Sequence, residues 1–134
     1  MTLYRHYGDS CMLAEQYGMM KDWVDWIIRQ DEEHGGRHLW GFGFHFGDWL
    51  AQDGISPQSM KGGTEDYLVA SAYYYASVMK TAQAAGILGY EKDRQYYEKA
   101  AAEIREAILE EYFSPKGRLA VDTQTAYLIC LRFG

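Results

Sequence analysis

The sequence predicts an all-α fold in which antiparallel helix hairpins carry one long loop rich in glycine and aromatic residues. Two observations favour this class. Apolar residues recur at the three- and four-residue steps of a helix in four segments, and no strand pairs are evident. Glycines concentrate between the first two helical segments. Because the chain has 134 residues, the length of one ordinary domain, we expect residues 1–134 to lie in a single domain.

The first predicted helix runs from Asp9 to about Asp31. Either Asp9 or Ser10 can cap it, because both side chains accept hydrogen bonds from the free amides of a first turn. One face carries the apolar residues Leu13, Tyr17, Met20, Val24 and Ile27. A second apolar flank consists of Met12, Met19, Trp23 and Trp26. So wide an apolar surface predicts a helix packed between neighbours. Gly35 and Gly36 can take left-handed backbone angles and are expected to end it.

Residues 35–63 are predicted to form an extended functional loop. They carry eight of the 14 glycines of the chain, together with Pro57. These glycines are Gly35, Gly36, Gly41, Gly43, Gly47, Gly54, Gly62 and Gly63. Connections of this length without secondary structure are uncommon unless they serve a purpose, which is why we expect this loop to carry function.

The second predicted helix follows the loop. Thr64 is expected to cap its first turn, in which Glu65 and Asp66 are favourable near the positive end of the helix. Gly86 and Gly89 are expected to close it. Its apolar residues fall on two faces, so that we expect the run Tyr73-Tyr74-Tyr75 to fill the core on both faces rather than to bind a ligand.

Two more helices complete the predicted fold. The third covers about Glu91 to Phe113, with one apolar stripe and one charged face, and residues 114–117 form a turn. Residues 119–121 are predicted to be briefly extended. Asp122 is then expected to cap a last helix that remains apolar up to Gly134.

Charge and composition exclude several classes of partner. Thirteen Lys and Arg against 19 Asp and Glu give a formal net charge of −6, and since nucleic-acid binding needs a basic face, no nucleic-acid partner is expected. No apolar run approaches the roughly 18–20 residues that span a bilayer, so no membrane partner is expected. Cys11 and Cys130 fit neither a disulfide framework nor a close metal-ligand spacing, and we predict that both are small buried hydrophobic residues.

The segment Trp40–Leu50 is the strongest candidate for chemistry. It is aromatic and glycine-rich, and it ends with Asp48 beside Trp49. Carbohydrate sites need such a pair, because a carboxylate accepts hydrogen bonds from hydroxyls while a flat ring covers the apolar face of a sugar. The alternative is an aromatic plug that only packs the loop onto the helices. The sequence chemistry favours neither hypothesis over the other.

Other titratable clusters predict no site. His34, His38 and His45 invite a zinc interpretation, since Zn²⁺ favours imidazole. No acidic partner is set by their spacing and no pair lies four apart on a helix, so we expect ordinary loop histidines, with no metal and no cofactor. Glu65-Asp66 could act as an acid pair, but at a helix start such residues more often interact with the helix dipole.

Pieces spread over the whole sequence resemble the inverting bacterial α-L-rhamnosidases, glycoside hydrolase family 78. The similar pieces are Tyr7–Asp9, Met20–Asp25, Phe46–Leu50, Ala70–Tyr75, Ala84–Gly89 and Asp122–Tyr127. Phe46–Leu50 looks like the Phe-Gly-Asp-Trp loop of that family, and Asp122–Tyr127 resembles a later helix. The Gly-Asp-Trp and Thr-Gln-Thr-Ala-Tyr pieces are fairly specific when they occur together.

The resemblance implies an internal fragment of an (α/α)6 barrel, about four helices of a partial domain. It implies hydrolysis of terminal α-L-rhamnosides, with a rhamnose-containing glycan or glycoside as the partner. It assigns Trp49 to packing against rhamnose, with Asp48 as its neighbour in the binding wall. The family's general acid lies in an upstream Asp-Glu-Arg…Gly-Trp motif that residues 31–34 do not match, and its general base lies downstream. The resemblance therefore implies no catalytic residue in this chain and no activity of the chain alone.

Two alternatives stay open from the sequence. The hairpin from Tyr67 to Tyr112 is reminiscent of a helical-repeat interaction module, although no second copy follows at a ~34-residue period. The chain could also derive from a related (α/α)6 glycosidase that acts on another sugar. The wide apolar helix faces predict a homo-oligomer, because monomers rarely expose apolar patches larger than a few hundred Å².

Overall fold

The computed structural model describes residues 2–51, 53–54, 56 and 58–134, and Pro57 of the predicted loop lies outside the described residues. The described residues form five helices. They are α1 (Thr2–Tyr7), α2 (Cys11–Glu33), α3 (Asp66–Leu88), α4 (Glu91–Tyr112) and α5 (Gln124–Phe133). The all-α class is confirmed, and α2 to α5 correspond to the four predicted helices. The short helix α1 was not predicted, because six residues are too few to display a helical repeat.

The ends of α2 agree with the sequence. Ser10 occupies the cap position without a side-chain hydrogen bond, whereas the Asp9 carboxylate accepts a hydrogen bond from the amide of Cys11 at 2.8 Å. Asp9 is therefore the residue that satisfies a free amide of the first turn. Beyond the last turn, Gly35 and Gly36 adopt φ angles of +113° and +61°, as predicted for the end of this helix.

The cap of α3 differs from the prediction. Glu65, not Thr64, is the N-cap residue, and its carboxylate accepts a hydrogen bond from the amide of Leu68 at 2.8 Å. Thr64 is buried and its hydroxyl bonds to Asp48 and Thr123 instead. The prediction was wrong because a threonine before two acids looks like a helix cap in the sequence. The sequence does not show that the Thr64 hydroxyl has a stronger acceptor, Asp48, in another segment.

A tight hairpin joins α3 to α4. Gly89 caps α3 in the left-handed conformation, with φ of +77°, while Gly86 lies inside the helix. Only two residues separate the helices, so that they pack side by side in opposite directions.

The cap of α5 is also shifted by one residue. Thr123, not Asp122, accepts a hydrogen bond from the amide of Ala126, at 3.2 Å, while Asp122 accepts one from the hydroxyl of Tyr127 at 3.0 Å. The preceding segment is briefly extended as expected, since Leu119 forms an isolated antiparallel bridge with Phe113.

Helix α3 lies at the centre and packs against α2, α4 and α5. The main core joins α2, α3 and α4 through Val24, Ile27, Tyr74, Val78, Ala82, Tyr97, Ala101 and Ile104. A second cluster joins the start of α2 to the end of α3 through Leu13, Tyr17, Ala84 and Ala85. Helices α2 and α3 are therefore antiparallel. Of the tyrosine run, Tyr74 is in the core, Tyr75 is half-buried and Tyr73 is exposed, so core filling is confirmed for Tyr74 and Tyr75.

Polar bonds tie α2 to α4 along the edge of this core. The hydroxyl of Tyr97, which is fully buried, donates to Asp25 at 2.5 Å and accepts from the Lys21 ammonium at 3.1 Å. The Tyr17 hydroxyl donates to Asp93 at 2.8 Å. Burial, helped by the neighbouring Asp25 carboxylate, raises the pKa of Tyr97. The phenol therefore stays protonated and remains a donor at neutral pH.

Two apolar helix faces remain exposed in the described part of the chain. On α2 the exposed residues are Met12, Met19, Trp23 and Trp26, and on α5 they are Tyr127, Leu128 and Leu131. A cavity of about 610 Å³ lies beside α5, between it and the α3–α4 hairpin. The second apolar flank of α2 was thus correctly predicted from the sequence, but no helix of the described part of the chain covers it.

The two cysteines differ in burial. Cys130 is half-buried, whereas Cys11 is exposed at the first turn of α2, so the prediction of burial was wrong for Cys11. Among the described residues, no helix combines the length and the apolar character required to cross a bilayer.

Candidate functional site

The segment Trp40–Leu50 divides into two sets of side chains. Trp40, Phe42 and His45 are half-buried, whereas Phe44, Phe46 and Trp49 are exposed. The two hypotheses drawn from the sequence therefore describe different side chains of one segment. The half-buried set packs the loop onto the helices, and the exposed set, which we call the aromatic platform, remains available for a ligand.

Trp40 is the centre of the packed set. Its ring contacts those of Trp26, Phe42, His45 and Tyr74 at centroid distances of 5.9, 4.4, 6.1 and 6.2 Å. Its backbone amide donates to the hydroxyl of buried Ser71 at 3.0 Å. Trp40 thus attaches the start of this segment to α2 and α3 through its ring and its backbone amide. A cavity of about 310 Å³ lies beside this cluster.

The aromatic platform is a chain of edge-to-face rings. Phe44 meets Phe46 at 5.2 Å and 77°, and Phe46 meets Trp49 at 5.5 Å and 82°. The Trp49 side chain is 43% exposed. An indole that is exposed to this extent can cover the apolar face of a ring-shaped ligand.

The backbone around Trp49 is held by a short antiparallel pairing. Trp49 bridges to Lys61, the amide of Gly62 donates to the carbonyl of Asp48 at 2.7 Å, and the amide of Leu50 donates to the carbonyl of Met60. Leu50 has a φ of +64°, which is unusual for a branched side chain. Such strain persists only where the surroundings impose it, and it turns the chain immediately after the indole.

The Asp48 side chain is anchored to the rest of the molecule by hydroxyls. Thr64 donates to its Oδ2 at 2.8 Å, and the Thr64 oxygen lies 2.6 Å from that of Thr123 at the start of α5. A carboxylate can accept about four hydrogen bonds, so that Asp48 retains acceptor capacity for hydroxyls of a ligand. The two residues assigned to the binding wall, Asp48 and Trp49, are thus placed at one exposed corner of the loop.

An ion pair lies next to the aromatic platform. Lys61 pairs with Asp66 at the start of α3, donates to the carbonyl of His45 at 3.2 Å and lies 5.5 Å from the ring centre of Phe44. Gly47 has a φ of +59°, and a Cβ atom at this position would overlap Oδ1 of Asp66. The glycine of the Gly-Asp-Trp piece is therefore required both for its backbone angle and for its close approach to Asp66.

The three loop histidines have separate local roles. His34 stacks on Phe42 at 3.8 Å, His38 lies 3.9 Å from the Asp31 carboxylate, and a ring nitrogen of His45 lies 3.1 Å from the carbonyl of Phe42. Within the described residues, no three side chains of His, Cys, Asp or Glu come together as a group that could hold a metal ion.

Asp31 is a buried carboxylate at the end of α2. The Tyr74 hydroxyl donates to it at 3.4 Å, and His38 has a φ of +56° beside it. Burial raises the pKa of Asp31, while His38 and the Tyr74 hydroxyl act in the opposite direction. With 3% of its surface exposed, Asp31 holds the start of the loop and is not accessible to a ligand.

Sequence reasoning selected Trp49 and Asp48 as candidate residues but missed the side chains that hold them. Glu65 and Asp66 were correctly predicted to be helix-end residues, since one caps α3 and the other pairs with Lys61. The role of Thr64 was hidden, because its pattern resembles that of a cap. No sequence pattern indicated the role of Lys61, because the path of the loop decides which acid it meets.

The whole chain, residues 1–134, matches the family model described as the bacterial alpha-L-rhamnosidase 6 hairpin glycosidase domain. It is similar to the alpha-L-rhamnosidase of Alteromonas sp. strain LOR, with 30% identity over 98% of this chain, and to that of Formosa agariphila, also with 30% identity over 98%. The chain spans 14% of the length of each of these two proteins.

Solved structures give the same result. The native rhamnosidase of Aspergillus terreus superposes with a TM-score of 0.81 and 32% identity, over 95% of this chain and 14% of that one. A Streptomyces avermitilis alpha-L-rhamnosidase in complex with L-rhamnose gives a TM-score of 0.73 and 30% identity, over 96% of this chain and 11% of that one. The match over the whole chain favours the glycosidase hypothesis over a helical-repeat module.

Proposed function

Because the chain belongs to the family of bacterial α-L-rhamnosidase six-hairpin glycosidase domains, we propose that it forms part of the sugar-binding wall of such an enzyme. Residues 1–134 are then a partial domain, about four long helices of an (α/α)6 barrel. The substrate class is terminal α-L-rhamnosides, and the reaction is hydrolysis with inversion. Rhamnose itself is bound in a known relative, the Streptomyces avermitilis enzyme.

The observation that carries the proposal is an exposed indole beside an anchored carboxylate. Rhamnose is a deoxysugar with one apolar face and several hydroxyls. The exposed indole of Trp49 covers the apolar face of the sugar, and Asp48, held by Thr64 at 2.8 Å, accepts hydrogen bonds from hydroxyls at the ring edge.

Neither catalytic carboxylate is supplied by residues 1–134. Inverting hydrolysis needs a general acid and a general base about 6.5–9.5 Å apart, on opposite sides of the scissile bond. Three acids near Trp49 have structural partners, since Asp48 bonds to Thr64, Asp66 pairs with Lys61 and Glu65 caps α3. We infer that the chain alone binds the sugar and does not hydrolyse it, because residues 31–34 do not match the Asp-Glu-Arg…Gly-Trp motif of the family's general acid.

A titration with L-rhamnose tests the binding role. We expect Trp49→Ala to weaken the affinity about tenfold or more, which is the effect of losing one stacking interaction and its buried area. The matched control is Trp23→Ala, which removes an indole of similar exposure, 55%, from the face of α2. Equal affinities of wild type and Trp49→Ala, or no rhamnose binding by the wild type, would refute the proposal. Tighter binding of D-mannose or L-fucose than of L-rhamnose would support the alternative of another sugar specificity.

An assay with an aryl α-L-rhamnoside tests the assignment of the catalytic groups. We expect no turnover by the purified chain above the uncatalysed rate. Clear hydrolysis that disappears in Asp48→Asn would instead place a catalytic carboxylate in this chain.

We further propose that the isolated chain forms a homo-oligomer through its exposed apolar helix faces. The exposed side chains of α2 and α5 include two tryptophans and two leucines. Their removal from water by a second copy is favourable at about 25 cal/mol per Å².

A further inference from the structure

Two threonine hydroxyls join the aromatic platform to a helix that is distant in sequence. Thr64 and Thr123 are 59 residues apart, and their oxygens lie 2.6 Å from each other. We propose that Thr64 and Thr123 are positioning residues for the sugar-binding indole: they hold Asp48, and through it Trp49, on the N-terminus of α5. This inference rests on the proposed function only in that Trp49 is the residue that meets the sugar.

The direction of the hydrogen bonds follows from the donors that are present. A carboxylate has no hydrogen to donate, so the single hydroxyl hydrogen of Thr64 goes to Asp48 Oδ2, at 2.8 Å. Thr123 must then donate to Thr64, and its own oxygen accepts from the amide of Ala126 at 3.2 Å. Each hydroxyl thus donates once and accepts once, in a relay that starts at a helix amide and ends at the carboxylate.

The surroundings make this relay strong. Thr64 is 3% exposed, so water does not compete for its hydroxyl. The relay begins at the positive end of α5, and each hydrogen bond in such a chain polarises the next one. An unsatisfied acceptor would be left wherever one hydroxyl is removed, so the arrangement of the three oxygens is strongly determined.

Asp48 and Trp49 are consecutive residues, so a displacement of the Asp48 backbone also displaces the indole of Trp49. The carbonyl of Asp48 is held by the amide of Gly62 at 2.7 Å, and a Cβ atom on Gly62 would lie 2.8 Å from the Asp48 carboxylate, so this acid has little free space. On the other side of Trp49, Leu50 has a strained φ of +64°. The Thr64 hydroxyl therefore holds the Asp48 side chain, and the backbone of Asp48 in turn positions the indole of Trp49.

The test compares two isosteric substitutions of buried threonines. Thr64→Val removes the hydroxyl of the relay. The matched control Thr81→Val removes the hydroxyl of a threonine that is 1% exposed in α3 and donates only to the carbonyl of Ser77, at 3.1 Å. Two readouts are used: the ¹H–¹⁵N indole resonance of Trp49, assigned with Trp49→Phe, and the dissociation constant for L-rhamnose.

We expect Thr64→Val to shift or broaden the Trp49 indole resonance and to raise the dissociation constant about tenfold, the ratio equivalent to one hydrogen bond of about 1.4 kcal/mol. Thr64→Ser retains the hydroxyl and should restore both values, and Thr81→Val should change neither. An unchanged Trp49 resonance in Thr64→Val, or equal changes in Thr64→Val and Thr81→Val, would overturn the inference.

The two proposals fail separately. If the wild type binds no rhamnose while Thr64→Val still displaces the Trp49 resonance, the proposed function is wrong and the positioning role stands. The double variant Thr64→Val/Thr123→Val gives a further check, because a relay predicts that the second substitution adds little to the displacement caused by the first.

If Thr64→Val does not fold, the wild type provides the decisive measurement. Hydroxyl protons held in a buried relay exchange slowly enough to be detected by NMR, whereas solvated hydroxyl protons do not. Absence of a slowly exchanging hydroxyl proton at Thr64, which is buried, would overturn the inference.

Discussion

The conformation of the loop that carries the aromatic platform depends on single glycines and acids. At Gly47 two requirements coincide, a left-handed backbone and a contact with Asp66 that leaves no room for a Cβ atom. We expect Gly47→Ala to lower the free energy of unfolding by about 2 kcal/mol or more, because the strain of roughly 1–2 kcal/mol adds to displacement of Asp66 from Lys61. Urea unfolding measures the change.

Gly43→Ala is the matched control for this prediction. Gly43 also has a positive φ, +75°, but a methyl group at this position would meet no atom within 4 Å, so only the backbone strain applies. Equal losses in the two variants would mean that the close approach to Asp66 contributes nothing.

Asp31 makes the free energy of unfolding depend on pH, and the direction of this dependence follows from its burial. Burial raises the pKa of Asp31 above its ordinary value of 3.8, so between that pH and the raised pKa the folded state binds more protons than the unfolded state. The stability contributed by Asp31 therefore falls as the pH rises through this window.

We expect Asp31→Asn to become more stable relative to the wild type as the pH is raised from about 4 to 8. Unfolding free energies from urea titrations at several pH values measure this difference. Asp22→Asn, at an exposed position of the same helix, is the control. A difference between Asp31→Asn and wild type that does not vary with pH would contradict the assignment.

Among the helices, the contact between α2 and α4 depends on a buried hydroxyl. Tyr97→Phe keeps the ring in the core but removes the donor to Asp25 and the acceptor for Lys21. We expect a loss of about 1.5 kcal/mol in the free energy of unfolding, the low end for hydrogen bonds to charged groups, because Asp25 is partly accessible to water. Thermal and urea unfolding measure it.

The neighbouring tyrosine supplies the control for this contact. Tyr96 is 52% exposed, and Tyr96→Phe should change the stability by less than about 0.5 kcal/mol. A similar loss in both variants would assign the effect to general changes of the α4 surface and not to the α2–α4 bond.

For the molecule as a whole, the exposed helix faces predict self-association. Leu131 is 83% exposed and Leu128 is 58% exposed on α5. We expect sedimentation velocity to detect dimers or larger species, and Leu128→Lys/Leu131→Lys to shift the population toward monomer. Ala102→Lys, which adds positive charge at an exposed position of α4, should leave the distribution unchanged. A wild-type chain that stays monomeric at high concentration would refute the assembly.

Local patterns in the sequence were sufficient to define α2 to α5 and the position of the loop. A stripe such as Leu13, Tyr17 and Val24 repeats within one helix, and a glycine such as Gly89 ends the helix that it follows. The aromatic segment and its Gly-Asp-Trp piece were visible for the same reason. What these local signals could not assign was the partner of each polar group.

Those partners are set by the packing of the folded chain. Packing separated the half-buried ring of Trp40 from the open ring of Trp49, and it gave Thr64 an acceptor in Asp48 and a donor in Thr123, which is 59 residues away. The physical reason is that a hydroxyl bonds to whichever group the fold brings within about 3 Å, and that distance depends on how the helices pack and not on the order of residues along the chain.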